Sequence, residues 1–259
     1  MKKMGIGLQL YTVRDEMAKD FTGTLRKVAE MGYEGVEFAG YGGLSAEELK
    51  ALLDELNLKA FASHVGYHLL KENLEREIAY LKTIGAKYAV VPYLAEEDRN
   101  TEEKWQQIFA DLTAFGKEMN KHGIVLAYHN HNFEFENKIG GKYVFDVMYE
   151  KVPADLLKLE IDAGWVGYVN EDPVAYVRKY SGRVPLVHLK DFRKGKPGEP
   201  IDTVELGAGD LQLKDIIAAA SDAGAEWLIV EQDVCKNPPL ESVKTSLEWL
   251  RNNYLNQLA

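Results

Sequence analysis

Short runs of aliphatic and β-branched residues alternate with longer amphipathic stretches, and the chain repeats this alternation eight times. This repeat constrains the fold more than any other feature, because parallel strands need a long crossover between them. Strands are predicted at 6–10, 35–38, 60–63, 88–91, 125–129, 157–161, 186–189 and 228–231. Helices are predicted at 21–31, 46–56, 69–84, 101–121, 145–150, 173–180, 213–223 and 240–254, with Ser45 and Asn100 as N-caps.

Eight strand-then-helix units in 259 residues match the size of a single (β/α)8 TIM barrel, an α/β fold of about 250 residues. We therefore predict one barrel domain over residues 1–259. A doubly wound open sheet is the alternative, but it needs fewer strands or an insertion, and the sequence has no composition shift that marks one. The one long irregular stretch, 193–210, follows the seventh strand and is predicted to be a functional loop.

The charge of the chain argues against two classes of partner. Lysine and arginine number 31 against 41 aspartates and glutamates, and the net charge of −10 repels a phosphate backbone, so nucleic acid is not an expected partner. No stretch approaches the ~20 apolar residues of a bilayer span. The single cysteine, Cys235, cannot form an internal disulfide, and the first residues lack a signal-peptide core, so a cytoplasmic location is expected.

Polar side chains cluster where the predicted strands end. Catalytic groups of a barrel come from the carboxyl ends of its strands, and residues two apart on a strand point the same way. Four of the six histidines, His64, His129, His131 and His188, lie at these ends. The other polar residues there are Gln9, Tyr11, Glu37, Glu160, Asp162, Lys190, Glu231 and Asp233. We expect these side chains to meet at the mouth of the barrel.

Three of these residues form a set typical of a metal site. Asp162, His188 and Glu231 come from successive strands, and mixed imidazole and carboxylate ligands suit Mn²⁺, Mg²⁺, Co²⁺ or Zn²⁺. Carboxylates buried inside a barrel are costly unless a cation neutralises them. The alternative is a hydrogen-bonded polar layer in which Lys190 is the counter-ion.

Eight short motifs connect the chain to one superfamily. They are GLQLYTVRD at 7–15, GVEF at 35–38, SHVG at 63–66, YHNHNFEF at 128–135, EIDAGW at 160–165, HLKDF at 188–192, ELGAGD at 205–210 and VEQD at 230–233. On these motifs the chain resembles the xylose isomerase-like TIM-barrel superfamily, and within it the sugar phosphate isomerase/epimerase group.

The resemblance implies one divalent metal ion held by a glutamate on strand 5, an aspartate on strand 6, a histidine on strand 7 and a glutamate on strand 8. Asp162, His188 and Glu231 match the last three positions. The strand 5 glutamate is expected two residues before His129, where this chain has Ala127. We expect Glu160 to replace it as the fourth ligand, with His129 or His131 as alternatives.

The resemblance implies a metal-dependent isomerase or epimerase that acts on a keto-sugar or related polyol through an enediolate. His129 and Glu231 are the candidate bases, and Lys190 is expected to stabilise the enolate oxygen. Substrate contacts are expected from Gln9, Tyr11, Glu37, His64, His131 and Trp165. The expected partner is a small-molecule sugar, and the sequence is compatible with a homo-oligomer.

Three other functions are compatible with the residues to different degrees. A lyase that acts on an inosose or a 3-keto-glycoside uses the same ion and base, and the sequence does not separate it from an isomerase. A non-catalytic sugar-binding barrel is an alternative because Ala127 breaks the ligand pattern. The net charge argues against the abasic-DNA hydrolase of the superfamily. In the 193–210 loop, Arg193, Lys194 and Lys196 either contact a phosphate or are simply solvated.

Overall fold

Eight parallel strands close into a barrel in the computed structural model, which describes residues 2–195 and 199–258. The strands are β1 Gly5–Gln9, β2 Gly35–Phe38, β3 Lys59–His64, β4 Tyr88–Val91, β5 Val125–His129, β6 Lys158–Asp162, β7 Leu186–Leu189 and β8 Trp227–Val230. Their order around the barrel follows the chain, and β1 pairs with both β2 and β8, which closes it. The predicted (β/α)8 barrel is confirmed. The predicted bounds of β1, β3, β6 and β8 are wrong by one residue.

Twelve helices are present among the described residues. They are α1 Arg14–Lys19, α2 Phe21–Met31, α3 Ala46–Leu56, α4 Tyr67–Ile84, α5 Glu96–Arg99, α6 Glu102–Lys121, α7 Phe133–Glu136, α8 Val144–Lys151, α9 Ala163–Tyr168, α10 Pro173–Lys179, α11 Leu213–Ala223 and α12 Pro239–Asn253. Turns of 3₁₀ helix lie at Leu10–Val13 and Leu255–Gln257. Four short helices, α1, α5, α7 and α9, were not predicted because they are too short to show helical periodicity. None of the helices in the described part of the chain combines the length and apolar character needed to cross a bilayer.

Local signals in the sequence fix most helix ends. The Ser45 side chain accepts from the third helical residue of α3 in a capping box, as predicted. The predicted cap at Asn100 is wrong, because Thr101 accepts the backbone N–H of Lys104 and begins α6. Gly32 and Gly85 adopt left-handed conformations, with φ of 96° and 79°, where α2 and α4 end.

The interior of the barrel has two levels. Its amino-terminal part is filled by a cluster of Phe61, Ala62, Tyr88, Val90, Ala127, Leu186 and Ile229. Residues two apart on a strand face the same side. His129, His188 and Glu231 therefore stand one level above Ala127, Leu186 and Ile229, on the mouth side of this apolar plug.

The 193–210 stretch is less irregular than predicted. Asp202–Val204 pairs antiparallel with Asp191–Arg193, so the stretch leaves the barrel as a small hairpin. Lys196 lies outside the described residues. The pairing places the return strand beside the end of β7, next to the candidate site.

Asp191 anchors the return of this hairpin. Its carboxylate accepts backbone N–H groups of Gly207, Gly209 and Leu211 at 2.9, 3.0 and 3.2 Å, and it also accepts the N–H of Phe192. A single buried carboxylate thus satisfies several donors of the ELGAGD motif. This explains why the motif lies against the barrel mouth.

Candidate metal centre

A cavity of about 530 Å³ opens at the carboxyl ends of the strands. Its lining residues are Tyr11, Ala39, His64, Pro92, Tyr93, His129, His131, Glu231 and Asp233. Tyr11, His64, His131 and Glu231 were predicted to act here. Gln9 and Glu37 are fully buried and do not line the cavity, so direct substrate contact by these two residues stays a prediction.

Four side chains from four successive strands meet next to this cavity, and two of them, His129 and Glu231, line it. His129 ends β5, Asp162 ends β6, His188 lies on β7, and Glu231 directly follows β8. One ligand atom from each lies within 4.8 Å of the others, and all four residues are buried. His188 Nδ1 lies 2.8 Å from Glu231 Oε2, and His129 Nε2 lies 3.7 Å from Asp162 Oδ2. We call these four residues the mouth cluster.

A second group of possible ligands overlaps the first and lies deeper in the barrel. It consists of His64, His129, Glu160 and His188, again within 4.8 Å of one another. Glu160 Oε1 lies 2.8 Å from His64 Nε2 and 3.1 Å from both His129 Nδ1 and His188 Nε2. We call this group the lower cluster. Glu160 does not share either cluster with Asp162 and Glu231, so its role as a metal ligand beside them stays a prediction.

Glu37 orients His188 from below. His188 Nε2 lies 2.7 Å from Glu37 Oε2, and the amide of Gln9 donates to the same oxygen at 2.9 Å. Metal-ligating histidines usually bond a carboxylate through the nitrogen that does not face the ion. Gln9 and Glu37 are therefore placed to fix the ring of His188, whose Nδ1 points toward Glu231.

Lys190 lies beside the mouth cluster rather than in the cavity. Its ammonium is fully buried, 2.8 Å from Asp162 Oδ2, 3.0 Å from Glu231 Oε2 and 2.9 Å from Asp233 Oδ2. Burial works against its charge, but these three carboxylates outweigh burial and hold the pKa of Lys190 well above its ordinary value. It also lies 5.3 Å from the centre of the Trp165 ring. Lys190 is therefore a fixed cation next to two of the four possible ligands.

The carboxylates around His64 and His188 raise the pKa values of these two histidines. Burial lowers the pKa of His64, but Glu37 and Glu160 outweigh it and raise that pKa to about 10. The carboxylates around His188 likewise outweigh burial and raise its pKa well above the ordinary value. Both imidazoles are thus held as cations when only protein groups are present.

The other two histidines are neutral. Burial, with the nearby charge of His188, holds the pKa of His129 well below its ordinary value. Burial and then Lys190 lower the pKa of His131 to about 3. Burial raises the pKa of Asp162 to about 6, although Lys190 opposes that shift. His129 and His131 therefore present the neutral imidazole that can bind a metal or accept a proton.

The site has unsatisfied negative groups that fit a cation. Glu160 Oε2 and Glu37 Oε1 are buried and accept no hydrogen bond. The carboxylates of the site are Glu37, Glu160, Asp162, Glu231 and Asp233, and its cationic groups are His64, His188 and Lys190. Negative groups thus outnumber positive ones, and a divalent ion would balance them. The donors of the mouth cluster suit such an ion, and they do not distinguish Mn²⁺ from Zn²⁺.

Two residues of the YHNHNFEF motif that were not predicted as site residues support the loop after β5. Glu134 accepts the Tyr128 hydroxyl at 2.6 Å and the backbone N–H of His131 at 2.8 Å. Asn130 accepts the backbone N–H of Asp162 at 2.9 Å. Their signal in the sequence was their place in the motif, next to the two histidines. They hold His131 and the end of β6 in place.

Trp165 lies in the first turn of α9 and donates its backbone N–H to Asp162 Oδ1 at 2.8 Å. Its ring packs against His131, 5.5 Å between centroids, and its buried Nε1 has no partner. It does not line the cavity, so stacking on a sugar stays a prediction. Arg193 and Lys194 line a different cavity, of about 440 Å³, and Lys196 lies outside the described residues.

A family model described as xylose isomerase-like TIM barrel matches residues 25–253. The chain belongs to this family. It is 27% identical over 295 aligned positions to an inosose dehydratase of Mesomycoplasma hyopneumoniae, which covers 96% of this chain and 95% of that protein. A solved sugar phosphate isomerase/epimerase from Parabacteroides distasonis superposes with a TM-score of 0.82 at 24% identity, covering 96% of this chain and 98% of that one. The structure of an IolI protein with a bound zinc atom superposes with a TM-score of 0.81 at 16% identity over 98% and 99% of the chains.

The family match confirms the predicted resemblance. The chain belongs to a family of enzymes, and its buried group of histidines and carboxylates fits one divalent ion. The roles of individual site residues and the oligomeric state stay predictions.

Proposed function

We propose that this protein is a metal-dependent lyase that acts on a keto-polyol or keto-glycoside. The observation that carries the proposal is the mouth cluster, in which His129, Asp162, His188 and Glu231 converge and from which His129 and Glu231 face an open cavity. Relatives named inosose dehydratase that align along almost the whole chain support elimination over isomerisation.

We assign the metal to the mouth cluster rather than to a set with Glu160. The mouth cluster draws one ligand from each of β5 to β8, the same four strands that the resemblance implies. Ala127 lies one level lower, in the apolar plug, so His129 takes the strand 5 position. Glu160 Oε1 lies within 3.1 Å of ring nitrogens of His64, His129 and His188, so Glu160 is placed to orient these imidazoles.

A divalent ion at this place supplies Lewis-acid polarisation of a carbonyl and the adjacent hydroxyl. If His129 is a ligand, we assign the base to His131, because His131 lines the cavity and its imidazole is neutral. It takes the proton from the carbon next to the carbonyl, and the C–H electrons form a double bond to the carbonyl carbon while the carbonyl π electrons move to its oxygen, which gives an enolate. When the carbonyl re-forms, the double bond shifts to the β-carbon, the bond to the β-substituent breaks with its electron pair, and that group takes up a proton from solvent. From beside the mouth cluster, the buried charge of Lys190 favours negative charge on the enolate oxygen without contacting it.

The isomerase or epimerase expected from the sequence shares the first step and differs only in where the proton returns. We propose a substrate without phosphate. Among the described residues, no lysine or arginine lines the cavity, and Lys190 beneath it is already held by three carboxylates. Sugar phosphates should therefore neither react nor compete.

The test is proton exchange and product analysis in D₂O. Mn²⁺-loaded protein is incubated with an inosose or a 3-keto-glucoside and followed by NMR. A lyase incorporates deuterium next to the carbonyl and yields an unsaturated ketone, whereas an epimer without loss of the β-substituent would identify an isomerase. Absence of exchange with every ketone tested would overturn both functions and favour the sugar-binding barrel.

Two variants test whether His129 is a metal ligand and His131 the general base. We expect His131→Asn to keep the metal and lower exchange by about 10²–10⁴-fold, as removal of a general base does. We expect His129→Ala to lose the metal. If His129→Ala instead keeps the metal and loses exchange, His129 is the base and the assignment of the mouth cluster is wrong.

A further inference from the structure

The exposed apolar side chains of this protein concentrate at the mouth of the barrel. Among the described residues, the large apolar side chains exposed to solvent are Tyr11, Leu69, Tyr93 and Val234, with 44, 44, 51 and 64% of their surface accessible. Each follows the carboxyl end of a barrel strand. Exposed apolar surface gathered at one place usually marks a binding site.

Two of these side chains, Tyr11 and Tyr93, line the same cavity as the mouth cluster. Tyr11 comes two residues after β1 and Tyr93 two residues after β4. Ala39 and His64, from β2 and β3, line the cavity between them. The small side chain of Ala39 leaves this part of the floor open, so the two rings border one continuous recess.

Both rings are supported from behind. The Gln9 side chain accepts the backbone N–H of Tyr11, and the Arg14 guanidinium lies 4.2 Å from the centre of the Tyr11 ring. Tyr93 packs edge-on against His131 and Phe133, with ring centres 5.4 and 5.5 Å apart. Rings that are already held in place can bind a ligand at little cost in side-chain entropy.

The residues that line the cavity therefore differ in polarity between its two halves. His129, His131, Glu231 and Asp233 form a polar half above the mouth cluster, while Tyr11, Ala39, Pro92 and Tyr93 form a mainly apolar half that also contains His64. A six-carbon polyol needs only the polar half. The whole cavity has a volume of about 530 Å³, which lies within the range of about 300–1,000 Å³ seen for the binding sites of larger ligands. The apolar half is left for a group that is not a sugar.

We infer that the substrate carries an aromatic or similarly flat apolar group, which lies between Tyr11 and Tyr93 while its keto-sugar lies over the mouth cluster. This inference rests on the proposed function for the position of the sugar. It names an aryl glycoside as the substrate class and Tyr93 as a specificity-determining residue.

The test compares matched ligands that differ only in the apolar group. Binding of unreactive phenyl and methyl β-glucosides to Mn²⁺-loaded protein is measured by calorimetry, and KM is measured for their 3-keto forms. We expect the phenyl ligand to bind at least about 10-fold more tightly, which corresponds to about 1.4 kcal/mol. Tyr93→Ala should remove most of this preference, whereas Tyr93→Phe, which keeps the ring, should retain it. Leu69→Ala is the matched control, because Leu69 is as exposed as Tyr11 but lies outside the cavity, and it should leave the preference unchanged.

The outcomes separate this inference from the proposed function. If neither keto-glycoside nor an inosose reacts but the phenyl preference exists and depends on Tyr93, the apolar subsite stands and the proposed lyase does not. If both react with equal KM and the phenyl glucoside binds no more tightly than the methyl one, the lyase stands and the apolar subsite is wrong. A preference that survives Tyr93→Ala and Tyr11→Ala unchanged would also overturn it.

Discussion

Replacing Lys190 by methionine tests how the charges of the site are balanced. Lys190 lies within 3.0 Å of Asp162, Glu231 and Asp233, and its ammonium is buried. Removing one partner of a buried ion pair typically costs about 3–5 kcal/mol, because the other charge is left buried and unpaired. For a chain of this size each kcal/mol lowers Tm by about 2–4 °C. We therefore expect Lys190→Met to melt roughly 6–20 °C below the wild type in the presence of a chelator.

Divalent ions should reverse this loss. An ion held by Asp162 and Glu231 takes over the neutralisation that Lys190 supplied, and it no longer meets a competing cation. Added Mn²⁺ should therefore raise Tm by more in Lys190→Met than in the wild type, as measured by circular dichroism. Lys236→Met is the control, because Lys236 pairs with Asp202 at the surface and such pairs contribute about 0–1 kcal/mol. The reasoning fails if Lys190→Met melts within about 2 °C of the wild type in chelator.

Three further predictions address the ligand set, the loop and the pH response. In metal titrations, Glu160→Gln should weaken affinity by about 10–100-fold, as outer-shell changes do, and His129→Ala by more; the reverse order would make Glu160 the ligand. Asp191→Ala strips several backbone N–H groups of their acceptor, so it should lose about 3–5 kcal/mol in urea unfolding and speed proteolysis of the hairpin; unchanged proteolysis would contradict this role. Because the pKa of His64 is raised to about 10, its ion pairs stabilise metal-free protein fully below pH 6.5 and lose that contribution as pH rises through about 10. The difference in unfolding free energy between the wild type and His64→Asn should therefore shrink between pH 6 and pH 10, and a constant difference would contradict the ion pairing.

The sequence was sufficient for the barrel because its strands and long helices carry strong periodic patterns. Predicted strand bounds were within one residue of the observed ones. The short helices at the mouth and the hairpin after β7 were missed, because a few residues show no period and because the hairpin depends on Asp191. These contacts form only when the chain has folded.

The sequence did not determine how far along the barrel axis each inward-facing side chain lies. Ala127 and His129 face the same way on β5, and pattern alone does not say which one meets Asp162. The side-chain contacts in the folded chain decide this: His129 Nε2 lies 3.7 Å from Asp162 Oδ2, whereas Ala127 packs in the apolar plug.

The most direct test of the account is the position of the metal itself. A crystal soaked in Mn²⁺ and measured at the manganese absorption edge gives an anomalous peak at the ion. We predict one strong peak bounded by His129, Asp162, His188 and Glu231, at about 2.0–2.2 Å from each nearest ligand atom. A peak bounded instead by Glu160 and His64, or no peak at saturating Mn²⁺, would contradict the proposed centre.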